Sequence, residues 1–482
     1  MSDIIFRRKI YEKLLYWKEH DSHDSVLMIE GPRRVGKSTL VEEFARKEYS
    51  SYLLIDFSRP KKGTIESFER YYDDSDKLFT YLQNIYGVTL QKGKSLVVFD
   101  EVQRYPKARQ LIKYLVLEDD YDFIETGSLI SIRENVEDIQ IPSEEESVGM
   151  YPLDFEEFLW ALGDESTMDL IKGSLRSKAP LGQIMHPIIM EKFRTYMLVG
   201  GMPQAVSEYV RTKDMAKVEK IKGNILKLYR EDMVKIKKGN GVQAAAIFEH
   251  IPGFLSSHRK IVSPGAIKAG TDASDYVTSL YWLKESRICN LCLNSTDPNP
   301  AMNLNATIGG CKCYMCDTGL LLTAAFDSGN LRRDETYQAF LKGRLSMNEG
   351  MLFENVAAQE LVAAGSDLFF HEFYLKGDEK HLYEVDFVMA NGKYTVPIDV
   401  KSSVSRKHRS LDLFGEKYGK KVRMPLIVHT KDVMVEDGIT YLPIYMMSLI
   451  PEWIAGEHSD TAVITVSVSS CGEKRLRKKQ SA

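Results

Sequence analysis

Eight residues near the N-terminus constrain the fold more than any other part of the chain. They follow a short apolar run at 26–29 and read Gly31-Pro32-Arg33-Arg34-Val35-Gly36-Lys37-Ser38. Apolar residues at helical spacing come directly after them: Leu40, Val41, Phe44 and Ala45. A strand, a glycine-containing turn and a helix in this order predict the first unit of a parallel α/β sheet.

Further apolar runs predict the other strands of this sheet. The candidates lie at 52–55 and 96–99, and a fourth begins at 123. Strands that are apolar throughout are typical of a parallel sheet covered by helices on both faces. From about residue 154 the periodicity becomes helical, and strand patterns return in the last third of the chain.

The glycine-containing segment has the composition of a phosphate-binding loop. Gly31 and Gly36 permit backbone angles that other residues resist, so several N–H groups can point at one phosphate. The dipole of the following helix adds positive potential at the same place. Lys37 can reach the β- and γ-phosphates, and the Ser38 hydroxyl can coordinate Mg²⁺. The sequence therefore predicts a site for ATP and Mg²⁺, with these loop contacts: Gly31, Pro32, Arg33, Arg34, Val35, Gly36, Lys37, Ser38 and Thr39.

Two carboxylates, Asp100 and Glu101, directly follow the third predicted strand. An acidic residue at the end of a buried strand can hold the magnesium shell, and the second carboxylate can polarise the attacking water. Thr126 and Ser128 end the next predicted strand, and either one can sense the γ-phosphate. We therefore predict ATP hydrolysis, with Lys37, Asp100 and Glu101 as catalytic residues and Ser38 and Asp100 as metal ligands.

The two arginines inside the loop, Arg33 and Arg34, fit three interpretations. They contact phosphate, they contact a neighbouring subunit, or they are solvated. The sequence leaves these alternatives open.

These residues resemble an ATPase family, archaeal-type ATP-binding proteins, in which an AAA-type P-loop domain is joined to a C-terminal domain of unknown function. The resemblance runs from about residue 5 to about residue 450. Besides residues 31–40, the matching segments are Phe99-Asp100-Glu101-Val102-Gln103-Arg104, Thr126-Gly127-Ser128, Tyr151-Pro152-Leu153-Asp154-Phe155-Glu156-Glu157-Phe158-Leu159, Leu198-Val199-Gly200-Gly201-Met202-Pro203 and Asp317-Thr318-Gly319-Leu320-Leu321.

The resemblance implies an α/β protein with a helical and winged-helix middle segment. Its predicted domains are the ATPase core at 1–150, a helical extension at 151–240, a winged-helix-like segment at 241–330, a domain similar to PD-(D/E)XK restriction endonucleases at 331–455, and a tail at 456–482. By analogy, Arg230 is a γ-phosphate sensor or an arginine finger. The alternative for Arg230 is an ion pair with a nearby acid on the helix surface.

Acidic residues recur in the last third of the chain. Glu354 lies on a predicted amphipathic helix, Glu384 and Asp386 share one face of a predicted strand, and Asp399 and Lys401 share a face of the next. Such charges are costly unless they meet a partner, and a hard cation is one such partner. The order of these residues along the chain resembles the PD-(D/E)XK nuclease core. The resemblance implies that Glu354, Asp386 and Asp399 are ligands of a second Mg²⁺ or Mn²⁺. It also implies that Lys401 orients a water. The alternative is a salt-bridged cluster without catalysis.

Five of the six cysteines lie close together in the sequence, at Cys289, Cys292, Cys311, Cys313 and Cys316. Two groups about twenty residues apart fit the spacing of a structural zinc site. The family resemblance, however, implies paired strands here, and two residues three apart in a strand face opposite sides. Cysteine also packs as a small apolar group. Buried free thiols are therefore favoured over zinc.

The charge balance gives no general attraction to nucleic acid, because the net charge is −4 and the pI is near 6.3. A local basic groove is still compatible with these values. The basic run at 474–479 is interpreted as a solvated terminus. No apolar run reaches about 18 residues and no signal-peptide pattern is present, so we expect a cytoplasmic protein without a membrane span.

Together these features predict an ATPase that couples its nucleotide state to a winged helix and a nuclease-like domain. Its expected partner is DNA, by fold analogy. The alternative is a nucleotide-dependent signalling or assembly switch. In that case the C-terminal domain binds a protein, and ATP sets a homo-oligomeric state.

Overall fold

The computed structural model describes residues 4–118, 120–127, 144–234, 240–263, 273–326, 339–342, 349–402 and 408–456. Ser128, the basic run 474–479 and the predicted tail beyond 456 lie outside these residues.

The first part of the chain alternates helices and strands around one parallel sheet. Its elements are α1 (Ile10–His20), β1 (Val26–Glu30), α2 (Lys37–Glu48), β2 (Ser51–Asp56), α3 (Thr64–Arg70), α4 (Ser75–Tyr86), β3 (Ser95–Asp100), α5 (Pro106–Glu118), β4 (Asp122–Gly127) and β5 (Glu145–Gly149). The sheet has the strand order β2-β3-β4-β1-β5, and every neighbouring pair is parallel. The predicted α/β class and its parallel sheet are thereby confirmed.

Successive residues of each central strand pack into two different cores. In β1, Met28 packs with helices α4 and α5, whereas Ile29 packs with α1 and α2. In β3, Val97 and Val98 divide in the same way. Because side chains alternate across a strand, a sheet with helices on both faces needs strands that are apolar at every position.

Five helices follow the sheet. They are α6 (Phe155–Ala161), α7 (Thr167–Ser177), α8 (Gly182–Val199), α9 (Pro203–Thr212) and α10 (Met215–Val234). A capping box starts α6: the Asp154 carboxylate accepts from the backbone N–H of Glu157 at 2.9 Å, and the Glu157 carboxylate accepts from that of Asp154 at 3.3 Å. This box turns the chain out of the sheet and into the helical region.

The middle segment contains helices followed by a strand pair. Its elements are α11 (Asn240–Ser256), α12 (Ala273–Glu285), β6 (Cys289–Ser295), β7 (Ala306–Met315) and α13 (Thr318–Ala325). Strands β6 and β7 are antiparallel, as in the predicted winged-helix-like unit. They do not form a sheet of their own, because β6 also pairs with the C-terminal segment.

The C-terminal segment completes that sheet and builds a second one. Its elements are α14 (Glu349–Ala363), β8 (Leu368–Leu375), β9 (Asp378–Val385), β10 (Phe387–Asn391), β11 (Tyr394–Val400), α15 (Arg409–Tyr418), β12 (Leu426–His429), β13 (Met434–Glu436), β14 (Ile439–Pro443) and α16 (Ile450–Gly456). The two sheets have the orders β7-β6-β8-β9 and β10-β11-β12-β14-β13. The first of them crosses the predicted boundary at residue 330, so the middle and C-terminal segments share backbone hydrogen bonds. The predicted domain limits themselves stay predictions.

Two details differ from the sequence predictions. The strand that was predicted to carry both Glu384 and Asp386 is broken at Asp386, since β9 belongs to one sheet and β10 to the other. Helix α14 is buried over nearly its whole length instead of presenting one apolar face. It lies in one apolar core that extends from Leu153 to Ile454, which explains why both of its faces are covered.

Among the described residues, we find no helix that combines the length and the hydrophobicity needed to span a bilayer.

Candidate functional site

The glycine-containing loop joins the end of β1 to the start of α2. Gly36 has φ 101° and Arg34 has φ 70°, so the chain passes twice through the left-handed region before the helix begins. A Cβ atom at Gly31 would collide with the carbonyl oxygen of Met150. The loop therefore needs glycine at both ends of the motif, once for its backbone angle and once for space.

Lys37 is the first residue of α2 and is buried against the loop. Its ammonium group donates to the carbonyl oxygens of Gly31 at 2.8 Å and Pro32 at 3.2 Å. Burial lowers the pKa of Lys37, and the nearby carboxylates of Glu101 and Asp100 act in the opposite direction. The loop thus surrounds a buried amine whose charge an anion would stabilise.

Ser38, Asp100 and Thr126 meet at the carboxyl edge of the sheet. The Ser38 hydroxyl donates to Asp100 Oδ1 at 2.9 Å, and the Thr126 hydroxyl donates to the same oxygen. The backbone N–H of Glu101 donates to Thr126 Oγ1 at 3.3 Å. A serine hydroxyl and a carboxylate this close are the hard oxygen donors that a hydrated Mg²⁺ needs, so these residues fit the ion.

Glu101 follows β3 in the left-handed region, with φ 54°. Its carboxylate accepts from Gln103 Nε2 at 2.5 Å. Glu101 also lines the cavity in front of the loop. A carboxylate that is held in position and faces a cavity suits the predicted role of orienting a water.

The loop opens into a cavity of about 610 Å³. Residues from four other parts of the chain contribute to its wall, including Ile4, Ile5, Phe6, Met150, Pro203, Gln204, Ser207, Glu208, Arg211 and Ile221. Sequence reasoning did not relate this set to the loop, because the N-terminal residues and α10 carry no motif and the matching segment that ends at Pro203 gives no spatial relation to the loop. The only local signal was the apolar triplet at 4–6.

Arg33 contacts helix α10 from within the loop. Its Nη1 atom lies 3.0 Å and 2.9 Å from the two carboxylate oxygens of Asp232, and its carbonyl oxygen accepts from the Tyr229 hydroxyl at 3.0 Å. Arg34 and Arg33 both line the cavity. Arg33 thus has a specific partner on the helical extension of the same chain, a contact that none of its three interpretations named, and those interpretations stay predictions.

Arg230 is directed elsewhere. Its Nε atom lies 3.2 Å from a carboxylate oxygen of Glu249 on α11, and it does not appear in the described wall of the cavity. The predicted role of sensor or arginine finger stays a prediction, and the observed contact corresponds to its alternative.

Two further contacts tie the loop to its surroundings. The Arg8 guanidinium donates to the carbonyl oxygens of Val35 at 3.2 Å and Tyr151 at 2.5 Å. From the middle segment, Arg287 pairs with Glu30, the last residue of β1, at 2.7 Å. The N-terminal residues are therefore in direct contact with the loop, and the middle segment is in contact with the strand that leads into it.

The second predicted constellation also comes together, but around lysines that the sequence did not point to. Lys312, on β7, is fully buried, and its ammonium group lies 2.6 Å from Glu384, 3.7 Å from Asp386 and 3.8 Å from Glu354. Lys260 pairs with the other oxygen of Glu354. The two lysines come from the middle segment, and the three carboxylates come from α14, from β9 and from the residue that joins β9 to β10.

Asp399 and Lys401 lie beside this group. Their side chains form an ion pair at 3.0 Å, and Asp386 Oδ2 accepts from the backbone N–H of Val400 at 2.8 Å. Burial raises the pKa of Asp399 to about 6. For Asp386, the lysine charges outweigh burial and lower the pKa to about 2.

The carboxylates of this cluster are thus satisfied by ammonium and N–H groups. Among the described residues, no group of three or more His, Cys, Asp or Glu side chains is arranged to hold a metal ion. In this arrangement lysines neutralise the carboxylates, and the predicted second metal ion stays a prediction.

The five described cysteines lie buried as free thiols. Cys289 and Cys292 are on β6, Cys311 and Cys313 are on β7, and Cys316 follows it. Burial raises the pKa of Cys289 well above its usual range. Side chains of this kind pack as part of the apolar core.

Comparison with known proteins divides the chain into three parts. Residues 23–159 match the family model described as AAA domain, and residues 190–331 and 349–447 match two models described as Domain of unknown function (DUF8612 and DUF4143). No curated protein matches the chain.

Several solved structures are similar to this chain at low sequence identity. A Walker-type ATPase of Pyrococcus abyssi is 14% identical, with 67% of this chain and 96% of that chain covered and a TM-score of 0.39. Cdc6p of Pyrobaculum aerophilum is 11% identical, with 71% and 97% covered and a TM-score of 0.28. PCH-2 of C. elegans is 12% identical, with 43% and 69% covered and a TM-score of 0.19.

The match to the AAA domain covers the same stretch of chain as the site described above. That stretch contains the glycine-containing loop, the buried Lys37 and the Ser38–Asp100 contact. Residues 23–159 therefore form an AAA-type P-loop ATPase domain, which binds ATP.

Proposed function

We propose that this protein binds Mg-ATP at the loop 31–38, hydrolyses it, and passes its nucleotide state to the middle and C-terminal segments. The observation that carries the proposal is the 2.9 Å contact between Ser38 Oγ and Asp100 Oδ1, directly beside the buried Lys37. It brings together the three residue types that hold a nucleotide and its metal ion.

Each residue of the site has a distinct role in this proposal. The backbone N–H groups at the start of α2 and the Lys37 ammonium bind the phosphates. Ser38 and Asp100 hold Mg²⁺, which, when bound, neutralises charge on the phosphate oxygens. Thr126 orients Asp100 through its hydroxyl. Glu101 accepts a proton from the attacking water.

The apolar side of the cavity suits the base of the nucleotide. Ile4, Ile5 and Phe6 from the N-terminus and Ile221 from α10 line it together with the loop. An adenine ring offers two apolar faces, so this wall supports a purine nucleotide over a bare polyphosphate.

The ion pair between Arg33 and Asp232 supports the proposed coupling. Both side chains are partly exposed, at 43% and 35%, so the pair is weak enough to be exchanged for a phosphate contact. When Arg33 turns to the nucleotide, α10 loses its contact with the guanidinium. Helix α10 packs with α13 and α11 of the middle segment, which gives the change a path toward the rest of the chain.

We further propose that the middle and C-terminal segments act on or near nucleic acid. The helices followed by the β6–β7 pair suit a winged-helix-like unit, and the proximity of Glu354, Asp386, Asp399 and Lys401 suits a nuclease-like core. The free thiols of the five described cysteines agree with action in a reducing compartment such as the cytoplasm.

A specific observation favours a second candidate, an ATP-dependent signalling or assembly switch without nuclease activity. Lys260 and Lys312 neutralise the carboxylates that a nuclease would use for its metal ion. In this candidate the C-terminal segment binds a protein, and ATP sets a homo-oligomeric state.

The test is ATP turnover by the native chain and by Lys37→Ala, each with and without DNA. We expect turnover that Lys37→Ala abolishes and that DNA alters. Turnover that DNA leaves unchanged, together with ATP-dependent oligomerisation and no cleavage with Mg²⁺ or Mn²⁺, would support the switch. If cleavage occurs, Asp399→Ala should abolish it and leave ATP turnover intact.

A further inference from the structure

The C-terminal segment carries a surface that combines five cations with two aromatic rings. Its members are Tyr374, Lys393, Tyr394, Lys417, Lys420, Lys421 and Arg423, and we refer to them as the basic–aromatic surface. None of these residues belongs to the ATP site or to the carboxylate cluster, by which we mean Glu354, Glu384, Asp386 and Asp399.

Short contacts make these residues one continuous surface. Lys417 Nζ donates to the carbonyl oxygen of Tyr374 at 2.9 Å, which joins the end of α15 to β8. The next turn, residues 419–421, is fixed to β11 because Thr395 Oγ1 donates to the carbonyl oxygen of Lys421 at 3.2 Å.

The second half of the surface surrounds the Tyr394 ring. The Arg423 guanidinium lies 4.3 Å from the centre of this ring, and the Lys393 ammonium lies 5.4 Å from it. The backbone N–H of Arg423 donates to the carbonyl oxygen of Thr395 at 2.9 Å. Arg423 is therefore held in place by its backbone while its guanidinium stays exposed.

The charge of this region opposes that of the whole chain. The described residues between 393 and 423 contain seven Lys or Arg residues and three Asp or Glu residues, a net charge of +4, whereas the chain as a whole carries −4. All five cations of the surface are exposed. A local positive field of this kind attracts a polyanion that the chain as a whole would repel.

The composition of the surface separates nucleic acid from a lipid bilayer. Among the described residues from 349 onward, the exposed large apolar or aromatic side chains are Tyr374, at 47%, and Val435, at 54%. A surface that enters a bilayer needs a cluster of such side chains. Unpaired bases instead stack on single exposed rings while lysines and arginines contact the phosphates.

We propose that the basic–aromatic surface binds single-stranded nucleic acid. Lys417, Lys420, Lys421 and Arg423 contact successive phosphates, and Tyr374 stacks on a base. This inference rests on the proposed action on nucleic acid and gives it a location outside the carboxylate cluster. It requires no metal ion and no cleavage.

The test is binding of a labelled oligothymidine to the full-length protein over a range of salt concentrations. Lys420→Glu combined with Lys421→Glu should weaken binding about tenfold or more at moderate salt, because two phosphate contacts become repulsive. The slope of log affinity against log salt should fall by about 1.4. The matched control is Lys107→Glu with Lys113→Glu, which changes the net charge equally on exposed lysines of α5 and should bind as the native protein does.

A second pair of variants tests the aromatic part. Tyr374→Ala should weaken binding about fivefold or more, whereas Tyr374→Phe should not, because the ring alone stacks. Unchanged binding by the 420/421 variant, or equal loss in the 107/113 control, would overturn the proposal. So would a preference for the same sequence as a duplex, or for phosphatidylserine vesicles.

Binding of a fluorescent ATP analogue is measured on the same samples. Analogue binding that survives in the 420/421 variant shows that its fold is intact. A native protein that binds the analogue but no oligothymidine would overturn this inference alone. Oligothymidine binding without analogue binding would instead overturn the proposed ATP site and leave the surface standing.

Discussion

Arg33, in the phosphate-binding loop, and Asp232, near the end of α10, form an ion pair in which one guanidinium nitrogen lies 3.0 Å and 2.9 Å from the two carboxylate oxygens. The two residues are 199 positions apart in sequence. The pair joins the loop that binds the nucleotide to a helix that packs against the middle segment.

Breaking this ion pair should strengthen ATP binding. In our account Arg33 exchanges Asp232 for a phosphate, so Asp232→Asn removes a competitor of the nucleotide. An exposed pair contributes about 0.2–1 kcal/mol, which corresponds to a gain in affinity of up to about fivefold. The measurement is titration with a fluorescent ATP analogue. Glu231→Gln, at the neighbouring exposed position of α10, is the control. Equal affinity in Asp232→Asn and the native protein would show that Arg33 does not exchange.

Asp100 should be essential for magnesium-dependent hydrolysis. Asp100→Asn weakens the oxygen donor beside Ser38, and we expect turnover to fall about 100-fold or more, because metal-ion stabilisation of the transition state contributes several kcal/mol. Asp56→Asn is a close control, since Asp56 lies opposite Asp100 on the neighbouring strand β2. Turnover at several magnesium concentrations should be normal in the control. A similar loss in both variants would mean that the sheet edge, not the metal site, was disturbed.

Lys312 should be a strong determinant of stability. Lys312→Ala leaves the buried Glu354 and Asp386 and the half-buried Glu384 without their shared ammonium group. Removing one partner of a buried ion pair typically costs about 3–5 kcal/mol. We expect a clear fall in Tm, whereas Lys376→Ala, at an exposed position after β8, should leave Tm nearly unchanged.

Metal binding by the same carboxylate cluster distinguishes the two candidate functions. In an Asp100→Asn background, where the site beside the P-loop is weakened, Mn²⁺ should not raise Tm, because lysines occupy the carboxylates. A manganese-dependent rise that Asp399→Ala removes would instead support a metal site of the nuclease type.

Glu360 should make stability depend on pH. It is buried on α14, where its carboxylate accepts from the Tyr196 hydroxyl at 2.7 Å and the Phe155 N–H at 3.2 Å. Burial, and then the nearby Asp154, raise the pKa of Glu360 to about 8. In the unfolded chain a glutamate ionises near 4.3.

At a pH between these two values, the folded protein therefore binds one proton more than the unfolded chain. The protonated Glu360 contributes its full stabilisation below about pH 4.3. As the pH rises toward 8, the free energy of unfolding falls by up to about 1.4 kcal/mol per pH unit. Glu360→Gln keeps an acceptor for both hydrogen bonds and has no charge to bury. Its Tm should fall less between pH 6 and pH 8 than that of the native protein, whereas the exposed Glu416→Gln should follow the native protein. Parallel curves for the native protein and Glu360→Gln would contradict the prediction.

Local patterns explain what the sequence could predict. The loop 31–38 could be found because glycine spacing, an apolar strand and a helix are all encoded within about twenty residues. Asp100 could be found because it ends an apolar strand. The parallel sheet followed from strands that are apolar at every position.

The remaining features depend on contacts between distant segments. Lys260 and Lys312 meet Glu354 and Glu384 across 94 and 72 residues, and no periodicity relates them. The break of the predicted strand at Asp386 was missed because apolar residues lie on both sides of it, as they would in one continuous strand. The two halves differ only in the sheet with which each of them pairs. Helix α14 carries buried polar residues, such as Gln359 and Asn355, that bond to the backbone of the middle segment. Such residues look like a solvent face in the sequence alone.

The central claim is that the backbone amides at the start of α2, together with Lys37, hold a triphosphate. Equilibrium titration of the folded native protein with a fluorescent ATP analogue and Mg²⁺ tests it most directly, with Lys37→Ala alongside. The account predicts saturable binding by the native protein that ATP displaces and that Lys37→Ala loses. A folded native protein that shows no saturable binding, or a Lys37→Ala variant that binds equally well, would contradict it.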